Sequence, residues 1–158
     1  MTDLEIFQTI RWGSDEEFAE AIDSVDIDCV DDKGDTMLHV AVARHRPAIV
    51  SLLIENGIDL ECRGHEGKTP LHYALEMGDE QLAMVLLEEG ADVTVTDEYG
   101  NQPLWSAVMN LDSGTEIVAE LLARGADPTH RNESEHSPLE MARKRNRQEL
   151  VDLLSERE

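Results

Sequence analysis

The sequence predicts an all-α solenoid of about five helix-loop-helix units, the first degenerate and the last truncated. Three observations predict it. Glycines at 34, 67 and 100 open variants of one segment, GDTMLHVA, GKTPLHYA and GNQPLWSA, 33 residues apart, and HSPLEMA at 136–142 is a fourth. Two further registers keep step: Leu38, Leu71, Leu104 and Leu139, and Asp26, Asp59, Asp92 and Asp127, both at intervals of 33, 33 and 35. Aromatic residues are 4% of the chain against 41% hydrophobic, so the core must be built from Leu, Ile, Val, Ala and Met, which suits helices with small, repetitive packing. A fixed period of this length marks units that cannot bury their apolar faces alone and complete one another by stacking.

The registers divide one domain, residues 1–158, into units of approximately 1–30, 31–63, 64–96, 97–131 and 132–158. In the first, Asp15, Glu16, Glu17 and Glu20 interrupt the apolar pattern and give a polar outer face, and Trp12 is expected to close the exposed end of the core, the alternative being that it joins a contact surface. In the second, Thr36 caps a helix starting at Met37, with Leu38 and Ala41 on one face. The run Ile49, Val50, Leu52, Leu53, Ile54 forms its second helix, ended by Asn56-Gly57. The third repeats this with Thr69-Pro70, Leu71 and Ala74, then Leu82, Ala83, Val85, Leu86 and Leu87, then Gly90. Proline there takes the first helical position, where its missing N–H is no loss. The fourth has Gln102-Pro103, Leu104 and Ala107, a second run from Ile117 and a stop at Gly125. A two-residue insertion in MNLDSGTE (109–116) lengthens the link between its helices. In the fifth, Ser137-Pro138 starts a helix, and Arg143, Lys144, Arg145 and Arg147 make a polar cap.

The stretch TPLHYA at 69–74, the period of 33 and the endings IVSLLIENGID, LAMVLLEEGADVTVTD and IVAELLARGADP resemble the ankyrin repeats. The resemblance covers about residues 24 to 154, with the degenerate unit ahead of it. It implies helix-loop-helix units joined by hairpin-like loops, and it implies that His39 and His72, one period apart, order the capping turn by hydrogen bonding to backbone.

Several chemistries are disfavoured. Gly67-Lys68-Thr69 looks like the end of a phosphate-binding loop, but that motif needs Gly where this chain has Cys62, and Gly64 is at the wrong offset. With 35 Asp and Glu against 13 Lys and Arg, a formal charge of −22, the surface repels nucleic acid and anionic lipid and favours a basic protein partner. Residues 1–31 carry ten carboxylates and one Arg, while Arg143 to Arg147 is basic, giving the molecule an electrostatic polarity. Cys29 and Cys62 lie one period apart, on adjacent units roughly 10 Å from each other, beyond the roughly 7 Å that a disulfide spans; two free thiols and a reducing, cytoplasmic setting are expected. Cys62-x-x-His65 lacks the second ligand pair that zinc needs. No nucleophile stands beside a plausible base, so no catalytic residue, cofactor or metal is expected, and neither a secretory signal nor a membrane span is apparent.

Ankyrin-family proteins generally act as non-catalytic binding surfaces, using loop tips and the first-helix face on the concave side. Carried over by repeat position, the resemblance implies contacts from Asp32, Lys33 and Asp35, from His65, Glu66 and Lys68, and from Glu98, Tyr99 and Asn101. First-helix positions add Arg44, Glu76, Met77, Met109 and Asn110, with Trp105 alongside. Trp105 replaces the histidine of the repeat, either to fill a packing gap made by the insertion or to anchor a partner. A small, strongly acidic ankyrin-like chain with no attached domain also resembles bacterial immunity proteins, some of which neutralise a toxin by binding it. That resemblance implies a monomer inhibiting a basic toxin such as a nuclease; the alternative is a scaffold or adaptor linking partners.

Overall fold

The structure, a computed structural model, describes residues 1–110 and 112–157; Leu111, inside the insertion, and Glu158 lie outside the described residues. Its helices form five pairs, α1 (Asp3–Trp12) with α2 (Asp15–Ala21), α3 (Met37–Ala43) with α4 (Pro47–Glu55), α5 (Pro70–Glu76) with α6 (Glu80–Glu88), α7 (Pro103–Met109) with α8 (Thr115–Ala123), and α9 (Pro138–Lys144) with α10 (Gln148–Ser155). Among the described residues no strand forms; Val30 and Thr36 make one isolated antiparallel bridge at the first loop. First helices pack on first helices in the order α1, α3, α5, α7, α9, and second helices form a second layer in which α2 meets α4 and α8 meets both α6 and α10. Helices of seven to ten residues are marginal alone. One continuous core from Ile6 to Leu154 holds them, with Leu38, Ala41, Leu71, Ala74, Leu104 and Ala107 all buried along the first-helix row.

Local chemistry sets each boundary. Thr36 and Thr69 accept a hydrogen bond from the backbone N–H of His39 and His72, and those imidazoles return one from the Thr N–H, a capping box with histidine in the reciprocal place. Ser137 and Glu140 do the same for α9. Met37 in place of proline leaves that geometry intact. Gln102 departs from expectation: its amide does not cap α7 but donates to Thr94 O at 3.2 Å. The second helices stop at Gly57, Gly90 and Gly125, whose φ values of 80°, 94° and 96° lie in the left-handed region. The following N–H reaches back to Leu53, Leu86 or Leu121.

Two further expectations change. Trp12 does not close the core; it is 72% exposed, and Ile6, Phe7, Ile10 and Phe18 fill that end. On a helix turning 100° per residue, Trp12 lies about 240° round from Ile6, off the stripe made by Ile6, Phe7 and Ile10. Arg147 does not join an outer polar cap; its guanidinium donates to the carbonyls of Val108, Asn110 and Ser113 at 2.9–3.0 Å. Arg46 does likewise for the first unit, donating to Ile10 O at 2.8 Å and Gly13 O at 3.0 Å while pairing with Asp15. Both arginines satisfy carbonyls left open where a first helix ends, in the unit before their own.

Candidate binding surface

The loops between units share a turn built on one acceptor. Asp31 Oδ1 accepts the N–H groups of Lys33 and Asp35, Asp97 Oδ1 those of Tyr99 and Asn101, and Asn132 Oδ1 those of Ser134 and His136, all at 2.9–3.1 Å. The register requires a fourth acceptor at position 64, where the chain has glycine. The missing side chain makes room for Asp35 of the preceding loop: its Oδ1 accepts from His65 N at 2.8 Å and from the Tyr73 hydroxyl at 2.7 Å. A Cβ on Gly64 would lie 2.3 Å from that oxygen. Burial and the adjoining carboxylate raise the Tyr73 phenol far above its ordinary range, so it serves as a neutral donor.

Histidines tie each unit to the next. His39 Nδ1 accepts from Thr36 N at 3.2 Å, which leaves Nε2–H to donate to Lys68 O at 2.8 Å; His72 bridges Thr69 N and Asn101 O in the same way, at 3.2 and 3.0 Å. Burial holds both imidazoles below the usual histidine value, which keeps this neutral tautomer in place. Trp105 cannot make the bridge. At that joint His130 Nε2 donates to Gly100 O at 2.9 Å and Asn132 Nδ2 to Asn101 Oδ1 at 2.8 Å, so the next loop holds on from its own side. Trp105 itself is half-buried.

These bonds sort the expected contact residues. Asp35 and Asn101 are 7% and 8% exposed and have their polar atoms committed within the solenoid. Asn110 is half-buried and caps α5, its amide donating to Leu75 O and Glu76 O at 3.2 and 2.9 Å. The outward set is Asp32, Lys33, His65, Glu98 and Tyr99 on the tips, with Arg44, Glu76 and Met77 at the ends of α3 and α5. Glu66, Lys68 and Met109 are half-buried. The tips are chained together, Glu98 N donating to Glu66 O at 2.9 Å and Glu133 N to Tyr99 O at 3.0 Å. Lys68 sits between Glu66 at 2.7 Å and Glu76 at 3.0 Å. Burial works against its charge, but those two bonds outweigh it and raise its pKa, while the Lys68 bond lowers that of Glu66. The Lys68 charge is thus compensated in place; Asp32 stands beside the exposed Lys33, and Glu98, Glu133 and Glu135 leave the later tips acidic.

A second cluster stands where the first helices end. The Arg44 guanidinium lies 4.6 Å from the Trp12 ring centroid, a cation–π contact. Met77, one unit along in the Arg44 register, is 56% exposed, as Trp12 is 72% and Tyr99 51%. Of the two expectations for Trp12, core closure and a contact surface, its exposure leaves the second, and its angular position on α1 is the signal that separates them. Among the described residues no group of three His, Cys, Asp or Glu is arranged to hold a metal ion, and no helix is long and apolar enough to cross a membrane. Cys29 and Cys62 are free, half-buried thiols.

Comparison with known proteins agrees with this geometry. The model of the family described as ankyrin repeats (3 copies) matches residues 6–97 and 66–132. No curated protein matches the chain. The matched segments span most of the sequence and include the first unit from Ile6, and the chain belongs to the ankyrin-repeat family.

Proposed function

We propose that the chain is a non-catalytic binding surface for a basic protein, engaged through the acidic loop tips and the exposed ends of the first helices. Ankyrin repeats are generally protein–protein interaction modules. The observation that carries the reading further is the division of this face. Asp32, Glu66 and Glu98 follow one another along the chained tips with Lys68 neutralised among them, while Trp12 and Met77 stand exposed beside it. The carboxylates steer a cationic partner, and the apolar side chains supply anchors that gain by leaving water. The specific form of the proposal is an inhibitor that neutralises a basic toxin such as a nuclease, its carboxylates occupying the site that otherwise holds phosphates.

The test is capture from native lysate with the parent chain, with Asp32→Lys/Glu98→Lys and with Trp12→Ala, followed by assay of the captured protein's nucleic-acid cleavage. A one-to-one complex that forms with the parent, weakens in both variants and loses its activity supports the inhibitor. A tight complex with full activity assigns the chain as an adaptor. Capture undiminished by charge reversal at the tips would refute the surface altogether.

A further inference from the structure

The second-helix layer carries a feature that the loop-tip surface does not use. Between α6 and α8 lies a cleft of about 570 Å3, against about 330 Å3 between α2 and α4. Its floor is apolar: Met84 and Val85 of α6 are only half-buried, and Ile117 of α8 lies against them in the same cleft. Its walls are acidic. Glu80 and Glu88 stand four residues either side of Met84, which places the three in one row about 12 Å long at 1.5 Å per residue. Glu116 and Glu120 flank Ile117 on the facing helix.

Two of these four carboxylates are occupied. Glu80 Oε1 accepts from Gly114 N at 2.5 Å and Glu120 Oε1 from Arg124 Nε at 2.6 Å. Glu88 and Glu116 have no hydrogen bond or ion pair among the described residues. Ile117 occupies the register of Leu82 one unit earlier, so Glu116 is level with Gln81 and Glu88 lies seven residues further along. That is about 10 Å along the helix axis at 1.5 Å per residue. The free carboxylates therefore stand at opposite ends and on opposite sides of an apolar floor two helical turns long.

We propose that the α6–α8 cleft is a second docking site, taking an amphipathic helical segment of a partner whose apolar stripe is flanked by two Lys or Arg about 9 Å apart along its axis, six residues in sequence, one on each side. A helix laid there covers the half-buried Met84 and Val85 above the buried Ile117, and its cations meet Glu88 and Glu116 diagonally across the stripe. An acidic segment would face four carboxylates against one arginine, so charge selects the occupant. The site is on the second-helix layer and does not depend on the loop-tip reading.

The probe is a fluorescein-labelled synthetic 14-residue peptide with leucines at helical spacing and two lysines six positions apart, about 120° from one another around the helix and so on opposite flanks of the leucine stripe. A peptide of the same composition with the lysines adjacent is the comparison. With the full chain, we expect one-to-one saturable binding, slower amide exchange on α6 and α8, and at least tenfold weaker binding of the comparison peptide. Glu88→Gln/Glu116→Gln weakens binding at least tenfold, and Met84→Ala weakens it with thermal melting preserved. Glu20→Gln/Glu135→Gln removes the same charge elsewhere and changes affinity less than twofold. Equal losses from both charge pairs would assign the binding to the diffuse acidic field and overturn the site. Protection at the loop tips, or no saturation, would overturn it as well.

Discussion

Gly64→Ala tests the joint on which the first two loops depend. Gly64 has φ −93°, so alanine meets no backbone strain; the obstacle is steric, because its Cβ falls 2.3 Å from Asp35 Oδ1 and 2.9 Å from His39 Nε2. Asp35 is buried and must turn away, surrendering its bonds from His65 N and the Tyr73 hydroxyl. Each hydrogen bond to a charged group contributes about 1.5–3 kcal/mol, part of it regained from water once the carboxylate emerges. A loss of about 2–4 kcal/mol follows, or roughly 5–15 °C in Tm for a chain of this size. Gly90→Ala supplies the comparison: its φ is 94° with nothing within 4 Å of a Cβ, so only the left-handed backbone opposes it, at about 1–2 kcal/mol. Urea unfolding followed by circular dichroism measures both, together with Asp35→Ala and the Gly64→Ala/Asp35→Ala double variant. Removing the carboxylate first should at least halve the cost of the alanine. Gly64→Ala no more costly than Gly90→Ala, or strict additivity in the double variant, would refute the reasoning.

Three other expectations rest on the same joints. Burial lowers the pKa of His39 and His72, so the native state binds fewer protons than the unfolded chain below the ordinary histidine value. Stability is complete above about pH 6.5 and is lost as pH falls through the folded values; urea midpoints between pH 7.5 and 5.5 should fall, and fall less in His39→Gln/His72→Gln. The Cys29 thiol is pushed up to about 11 by burial and then by Asp3 and Asp26, so iodoacetamide at pH 8 should modify it about a hundredfold more slowly than an unperturbed cysteine, with urea restoring the rate. Arg147→Ala leaves the carbonyls of Val108, Asn110 and Ser113 without their donor and should lower stability by about 2–4 kcal/mol in urea unfolding. Arg145→Ala, an exposed neighbour, should change it by under about 0.5 kcal/mol.

What the sequence made legible is what the period enforces. Leu38, Leu71, Leu104 and Leu139 recur because every unit places a first helix against the same neighbour, so one copy identifies the rest. The candidate surface was less legible where a side chain's role depends on another unit. Asp35 reads as a loop-tip carboxylate until Gly64, 29 positions later, opens the space that buries it. Asn110 reads as a first-helix contact, yet its amide caps the preceding unit. Gln102 holds the N-cap position but has too long a side chain to reach back to its own helix, and it bonds Thr94 instead. Arg46 and Arg147 hold the N-cap position of their second helices, which Asp79 and Gly114 hold in the units between, so arginine and aspartate are opposite solutions for one position. Asp79 accepts from its own helix at Leu82 N and meets His45, whereas the arginines donate to the unit before.

The acidity of the surface and the cohesion of the stack have a common origin. Arg46, Arg124 and Arg147 place their heads on carbonyls of the preceding unit, where a cation complements the end of a helix dipole. Arg11, Lys68 and Arg131 are paired with carboxylates. Cations thus join the units, and the excess of carboxylates is left on the loop tips and the second helices. At physiological salt that field reaches about 8 Å, enough to orient a cationic partner before contact and too little to hold it afterwards. In the proposed binding mode, holding falls to Trp12, Met77 and Tyr99, whose exposed apolar surface acts only once water is excluded. A partner with basic charge but no apolar complement would arrive quickly and leave quickly. One with the apolar complement alone would meet the same anchors without being turned toward them, so the two halves of the face govern different rates.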